Sequence, residues 1–187
     1  MDIYISLLGI TLVIFSIFSL YKNYSFIRVL VLYVLANSPV FFIINEKMYY
    51  GLSFFTTVGL YLVIVEFIKK TYKTDVFLGI EGLVLSSPKL SIFVRVVLLM
   101  MANFPPSLNF SVVFNYLLNS GLSINTIYIL ALLMFNFMIF SVMTNRLLFG
   151  KPNKNLIYKE PDVRYIILMS FLSLTNLVLG ILYLLSL

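Results

Sequence analysis

The sequence predicts an all-α integral membrane protein: a bundle of about six to seven transmembrane helices with a proline-broken helix near residues 103–110. Three observations predict it. Hydrophobic residues make up 61% of the chain and charged residues 11%, with a mean hydropathy of +1.06, where soluble domains carry about 25% charge. The apolar residues fall into runs near the roughly 20 residues that one spanning helix needs. The 187 residues therefore hold six to seven spans in a single transmembrane domain, 1–187, with no room for a sizeable soluble one. Third, the stretch Met101-Ala102-Asn103-Phe104-Pro105-Pro106-Ser107-Leu108-Asn109-Phe110 places two prolines, two asparagines and a serine between apolar runs that continue on both sides.

The first apolar run, 3–21, follows the acidic Asp2 and lacks a small-residue cleavage site, so it reads as a span rather than a secretion signal. A short loop, Lys22, Asn23 and Tyr24, leads to the run 26–44, with Arg28 near its start. Pro39 lies in the later part of that run and kinks it, because proline offers no N–H to the turn before it. Asn45, Glu46 and Lys47 turn the chain into a helix over 48–68, whose last turns hold Glu66. Lys69, Lys70 and Lys73 follow, where cations suit a helix C-terminus. Asp75, Gly79, Glu81 and Gly82 interrupt 71–87, which reads as an interfacial connector. Pro88 suits the first position of the next helix, 89–103, with Ser86 or Ser87 as its cap and Arg95 inside it. A shorter helix, 107–118, ends near Asn119-Ser120-Gly121, and another spans 124–148 up to Gly150-Lys151-Pro152-Asn153. A polar loop with Lys154, Lys159, Glu160, Pro161 and Asp162 precedes the last span, 165–185.

Two readings of the double-proline stretch stand. It is either a tight turn between helices at the bilayer edge or a broken helix at membrane depth, kept where protein or water meets the freed backbone groups. The basic residues bear on this choice, since they favour one side of a membrane. If 89–118 crosses once, the loops with Lys22, Lys69, Lys73, Lys151 and Lys159 share a side; if it crosses twice, the loop 146–164 is on the other. Charge prefers the single crossing.

The net charge of +6 lies in short loops, where it reads as topology and lipid head-group contact rather than nucleic-acid binding. The chain contains neither Cys nor His, which excludes disulfides, thiolate metal sites and the commonest proton shuttle. No nucleophile–base pair, phosphate loop or metal-ligand spacing is present, so no catalytic residue or metal ligand is assigned.

In order and spacing, several local patterns resemble the C-terminal half of the antiporter-like, proton-pumping subunits of respiratory complex I, the NADH:ubiquinone oxidoreductase. The stretch Pro105-Pro106-Ser107-Leu108-Asn109 is similar to the family's PPSLN segment. Tyr72-Lys73-Thr74-Asp75, then Gly82-Leu83 and Ser87-Pro88, resembles its threonine loop, glycine–leucine pair and proline-started helix. Ser141, Asn145-Arg146, Phe149-Gly150, Asp162 and Gly180-Ile181 look like its final two helices, and Arg28 with Leu30-Val31-Leu32-Tyr33 is similar to its lysine-bearing segment. The chain 4 type matches slightly better than chain 2, and chain 5 shares some of the pattern.

The resemblance implies a multi-pass subunit of the mitochondrial inner membrane that contributes to proton translocation coupled to electron transfer. NADH, FMN, iron–sulfur clusters and ubiquinone are then expected only in the wider complex. It implies other membrane-arm subunits as partners, among them a separate chain carrying the N-terminal half, together with lipids such as cardiolipin and no nucleic acid. The alternatives are a structural or assembly subunit with a degenerate proton channel, or an independent secondary transporter.

A charge inside a span costs at least about 2.5 kcal/mol, so Arg28, Glu66 and Arg95 are the proton-path or electrostatic candidates. Carried over by the resemblance, the family's helix-start lysine falls on Arg28, which stays protonated and tunes a neighbour rather than relaying a proton. Two further titratable positions of the family fall on Val113 and Phe54, which cannot titrate. Glu66 is either a buried proton-handling carboxyl or an interfacial partner of Lys69 or Lys70. Arg95 either takes Glu66 or a partner-chain residue as counter-ion or snorkels to the interface. Asn103, Pro105, Pro106 and Asn109 form the helix break, where Asn103, Asn109 and Asn115 are candidates to hold water. Asn125, Asn136 and Asn176 suit hydrogen bonds between helices.

Overall fold

The computed structural model describes residues 2–20, 25–74, 76, 80–153 and 156–186. Lys22, Asn23, Tyr24, Asp75, Gly79 and Lys154, singled out above, lie outside the described residues. The described residues form nine α-helices: α1 (Asp2–Leu20), α2 (Phe26–Asn37), α3 (Val40–Ile43), α4 (Lys47–Tyr72), α5 (Leu83–Ser86), α6 (Pro88–Met101), α7 (Leu108–Asn119), α8 (Ile124–Met143) and α9 (Val163–Ser186). A π-helical turn, Thr144–Leu148, closes α8. Five segments are long and apolar enough to cross a membrane: Ile3–Leu20, Phe26–Ile43, Lys47–Tyr72, Ile124–Leu148 and Val163–Ser186. α6 and α7, with 14 and 12 residues, are each shorter than a span.

The helix ends follow local chemistry. α2 stops before Ser38-Pro39 and α3 resumes at Val40, because Pro39 supplies a carbonyl to Phe42 N–H (3.0 Å) but no donor of its own. α4 runs four residues past the expected Ile68, with Lys69 and Lys70 in its last turn, and ends on Lys73 at φ +53°. A residue in that left-handed conformation lets its N–H reach back to the Lys69 carbonyl and stops the helix.

The cap of α6 comes from another part of the chain. Ser86 donates to the Gly82 carbonyl and Ser87 makes no side-chain cap. Instead the Glu160 carboxylate accepts the N–H groups of Lys89 (3.2 Å) and Leu90 (3.3 Å) and the Ser87 hydroxyl (3.0 Å). A carboxylate at that position meets both the orphan donors and the positive end of the helix dipole.

Contacts along α9 fix the sense of its neighbours. Lys159 lies beside Tyr72 at the end of α4, the Phe67 and Tyr165 rings meet at 5.3 Å, and the Tyr49 and Tyr183 rings at 5.0 Å. α4 therefore runs antiparallel to α9. Glu160 sits at the start of α6, Asn176 at the start of α7, and Tyr183 beside Asn115 further along α7. α6 and α7 thus follow α9 in the same sense, one after the other. Tyr61 bonding to the Phe26 carbonyl and Tyr50 to Asn37 set α2 antiparallel to α4. α8 packs on α1 and on α6.

These directions sort the loops between two ends. Residues 80–87 and the described residues of 149–162 meet at one end, where Tyr158 donates to the Glu81 carbonyl (2.9 Å) and Ser25 pairs with Val76. Gly82 (φ +70°) touches the Gly150 carbonyl and Pro152 so closely that a Cβ there would lie 2.6 Å from both. Among the described basic residues, Lys69, Lys70, Lys73, Lys89, Arg146, Lys151, Lys159 and Arg164 lie in or next to these loops. Arg28 and Arg95 sit on the adjoining turns of α2 and α6, and Lys47 alone of the described cations is at the other end.

Candidate functional site

The segment between α6 and α7 is held by hydrogen bonds from both helices and from α9. Asn103 adopts φ +56° and is buried, and the Pro105–Pro106 peptide is cis. Ser107 caps α7, accepting Phe110 N–H at 3.3 Å, while its own hydroxyl donates to the Phe104 carbonyl at 2.7 Å. Leu108 N–H, an orphan donor at the start of the helix, is taken by Asn176 Oδ1 of α9 at 3.1 Å. Ser111 donates to the Gly180 carbonyl at 3.1 Å. Gly180 is where backbone meets backbone, since a Cβ there would fall 2.7 Å from Leu108 N and against the Pro106 carbonyl.

From Asn176 the polar contacts run inward. Its Nδ2 faces Thr56 Oγ1 (2.7 Å), the Ser53 carbonyl and hydroxyl (3.2 Å each) and Thr57 Oγ1 (3.4 Å), all on α4. Thr57 also faces Asn109 Nδ2 (3.5 Å), which reaches Tyr33 Oη and the Met100 carbonyl at 3.4 Å. One turn along α2, Asn37 Nδ2 donates to the Tyr33 carbonyl (2.8 Å) and to Asn136 Oδ1 (3.2 Å), and Asn136 returns a bond to Asn37 Oδ1 (3.3 Å). Tyr50 Oη donates toward Asn37 at 3.4 Å, and Tyr128 donates to the Ala36 carbonyl at 2.6 Å. Two sets of amides and hydroxyls therefore meet at Tyr33 at the centre of the bundle: one reaches its hydroxyl and joins α2, α4, α7 and α9, the other reaches its backbone carbonyl and joins α2 to α4 and α8. Every member is buried and neutral. Hydroxyls both donate and accept, so such a set relays hydrogen bonds but provides no carboxylate, amine or imidazole to hold a charge.

The three charged candidates lie elsewhere and apart. Arg28 is exposed on the first turn of α2. Glu66 is on the outside of α4, its side chain 55% exposed and paired with Lys70 one turn on. Of the two lysines one turn on, the carboxylate takes Lys70. The Arg95 guanidinium lies 5.7 Å from the centre of the Phe149 ring, toward the basic end, within the range of a cation–π contact. The structure brings none of the three to the helix break.

Of the break residues, Asn103 and Asn109 are buried, while Pro105 and Pro106 are exposed beside them. Asn115 lies further along α7 and donates to Tyr183 Oη at 2.9 Å. Val113 is buried in α7, and Phe54 stacks on Tyr33 with ring centres 5.9 Å apart. Asn136 and Asn176 do bond between helices, and Asn125 accepts from Ser6 of α1.

Sequence reasoning missed Tyr33, Asn37, Ser53, Thr56 and Thr57. Ser53, Thr56 and Thr57 share one face of α4 at helical spacing, a pattern visible in the sequence, although hydroxyls in a span more often bond their own helix. Thr56 does both, donating to the carbonyls of Leu52 and Ser53 at 2.9 Å. No family model matches the chain, and no curated protein matches it. Among the described residues no group of acidic, His or Cys side chains is placed to hold a metal.

Proposed function

We propose that the chain is a non-redox membrane-arm subunit of respiratory complex I, of the antiporter-like type, serving as a structural and assembly element beside a proton path whose charges come from partner chains. In this reading α6 and α7 form one membrane crossing made of two helices, and the bundle crosses six times. The basic end then faces the side that retains positive loops, the matrix in a mitochondrial inner membrane, where cardiolipin is a natural neighbour.

The observation that supports this best is the neutrality of the bundle centre. A group that carries a proton at membrane depth must gain and lose it near neutral pH, and amides, aliphatic hydroxyls and phenols, which ionise only at about pH 10 even in water, do not. Arg28, Glu66 and Arg95 at the basic end suit anchoring to head groups and neighbours. NADH, FMN, iron–sulfur clusters and ubiquinone act in other subunits.

A second reading, in which this subunit itself contributes to proton translocation, is favoured by one atom. Asn109 Oδ1 is buried beside the loop between α6 and α7 with no protein donor among the described residues, while the Nδ2 of the same amide faces the hydroxyls of Tyr33 and Thr57. Such an acceptor suits water.

Purification from the native membrane is expected to bring down NADH-oxidising activity and further membrane-arm chains. Recovery as a lone homo-oligomer overturns both readings. In an intact complex, Glu66→Gln and Asn109→Leu are expected to leave the number of protons moved per NADH unchanged, and a fall with Asn109→Leu favours the second.

A further inference from the structure

The helix break also shapes the outside of the bundle. α6 packs on α8, but beyond the break α7 packs on α4 and α9 instead. Between α7 and α8 this divergence leaves a groove of about 580 Å³, walled by Val113, Phe114 and Leu117 on one side and Met134, Phe137 and Met138 on the other. The segment 102–105 closes its inner end, and the Phe104 ring packs 5.6 Å from that of Phe140.

We propose that this groove holds one acyl chain of a phospholipid from the leaflet opposite the basic end. The proposal rests on α6 and α7 lying at successive depths of one crossing, and not on membership of complex I. Length decides between a lipid chain and a partner helix. The 12 residues of α7 rise about 18 Å, close to half of a hydrocarbon core about 30 Å thick. A spanning partner helix requires a channel of full depth, and α6 against α8 shuts the other half. The six wall residues are all apolar and the one polar side chain in the lining, Asn103, lies at the closed inner end, so the walls recognise hydrocarbon. Two of them are methionines, whose unbranched side chains adapt to a flexible chain. The head group and second chain stay in the leaflet beside α7.

The full-length protein in phosphatidylcholine vesicles, doped with phosphatidylcholine bearing a diazirine on one acyl chain, tests this by photolabelling mapped to residues. With the diazirine near the methyl end, labelling is expected at Phe104 and Phe137; with it near the carbonyl, at Leu117. In both cases the yield should exceed that on Phe171 and Val178, the exposed side of α9, by about tenfold, the ratio that a 1.4 kcal/mol preference gives. Leu117→Trp or Met134→Trp should abolish groove labelling and leave labelling of α9 intact. Even labelling of groove and α9 overturns the proposal. So does a native complex in which the groove cross-links to another protein instead of lipid. If the two probes label in the reverse order of depth, the single-crossing reading fails rather than the groove's affinity for hydrocarbon.

Discussion

The basic end and the centre of the bundle hold helices together by different means. At the basic end, contacts are charged or backbone-mediated and meet the surface: Glu160 on the start of α6, Glu66 with Lys70, Arg95 over Phe149. At the centre they are neutral and sealed, running from Asn176 through Thr57 and Asn109 to Tyr33. The difference teaches that position, rather than bond count, sets what a polar contact contributes. Water and head groups stand ready to replace a lost partner at the end of the bundle, and nothing does so at its centre.

Substitutions at the two regions should separate in size. Gly180→Leu is expected to be the most damaging, because its Cβ meets the Pro106 carbonyl and Leu108 N rather than a side chain that can move. Overpacking against such a wall costs about 3 kcal/mol, measured as loss of stability in steric-trapping or denaturant unfolding in detergent. Asn176→Leu follows at about 2 kcal/mol, the cost of leaving a buried N–H, here that of Leu108, without an acceptor.

Glu160→Ala removes a half-buried cap and should cost about 1 kcal/mol, with Glu160→Gln intermediate and high salt narrowing the gap between them. Last comes Glu66→Gln, at an exposed pair, which should leave the unfolding midpoint where it was. If Glu66→Gln proves as costly as Asn176→Leu, the contrast between the two regions is broken and a partner or lipid must bury the outside of α4.

Much of this was legible in the sequence. Runs of apolar residues marked the long helices, and Pro39 and the pair Pro105-Pro106 marked the interruptions, because a missing N–H acts locally. The extension of α4 past Ile68 was less so, since the lysines that favour its last turn also read as the start of a loop. The cap from Glu160 lay beyond local reasoning entirely: Ser87 is adjacent to α6, yet the carboxylate that serves it arrives from 70 residues away. The same holds for the central set. Asn136 and Asn176 were recognisable as residues that need a partner in lipid, but Asn37, Ser53 and Thr57 became those partners only once α2 and α4 were placed beside them. Glu66 shows the reverse case, because which side of α4 faces outward is a tertiary fact.

The neutral centre has an electrical consequence. A transmembrane potential does work on charge, about 2.3 kcal/mol for each elementary charge moved through 100 mV. Amides and hydroxyls clustered at mid-bundle, with the described cations gathered mainly at one end, offer the field almost nothing to pull across. Energising or discharging the membrane should therefore leave the packing of these helices unchanged.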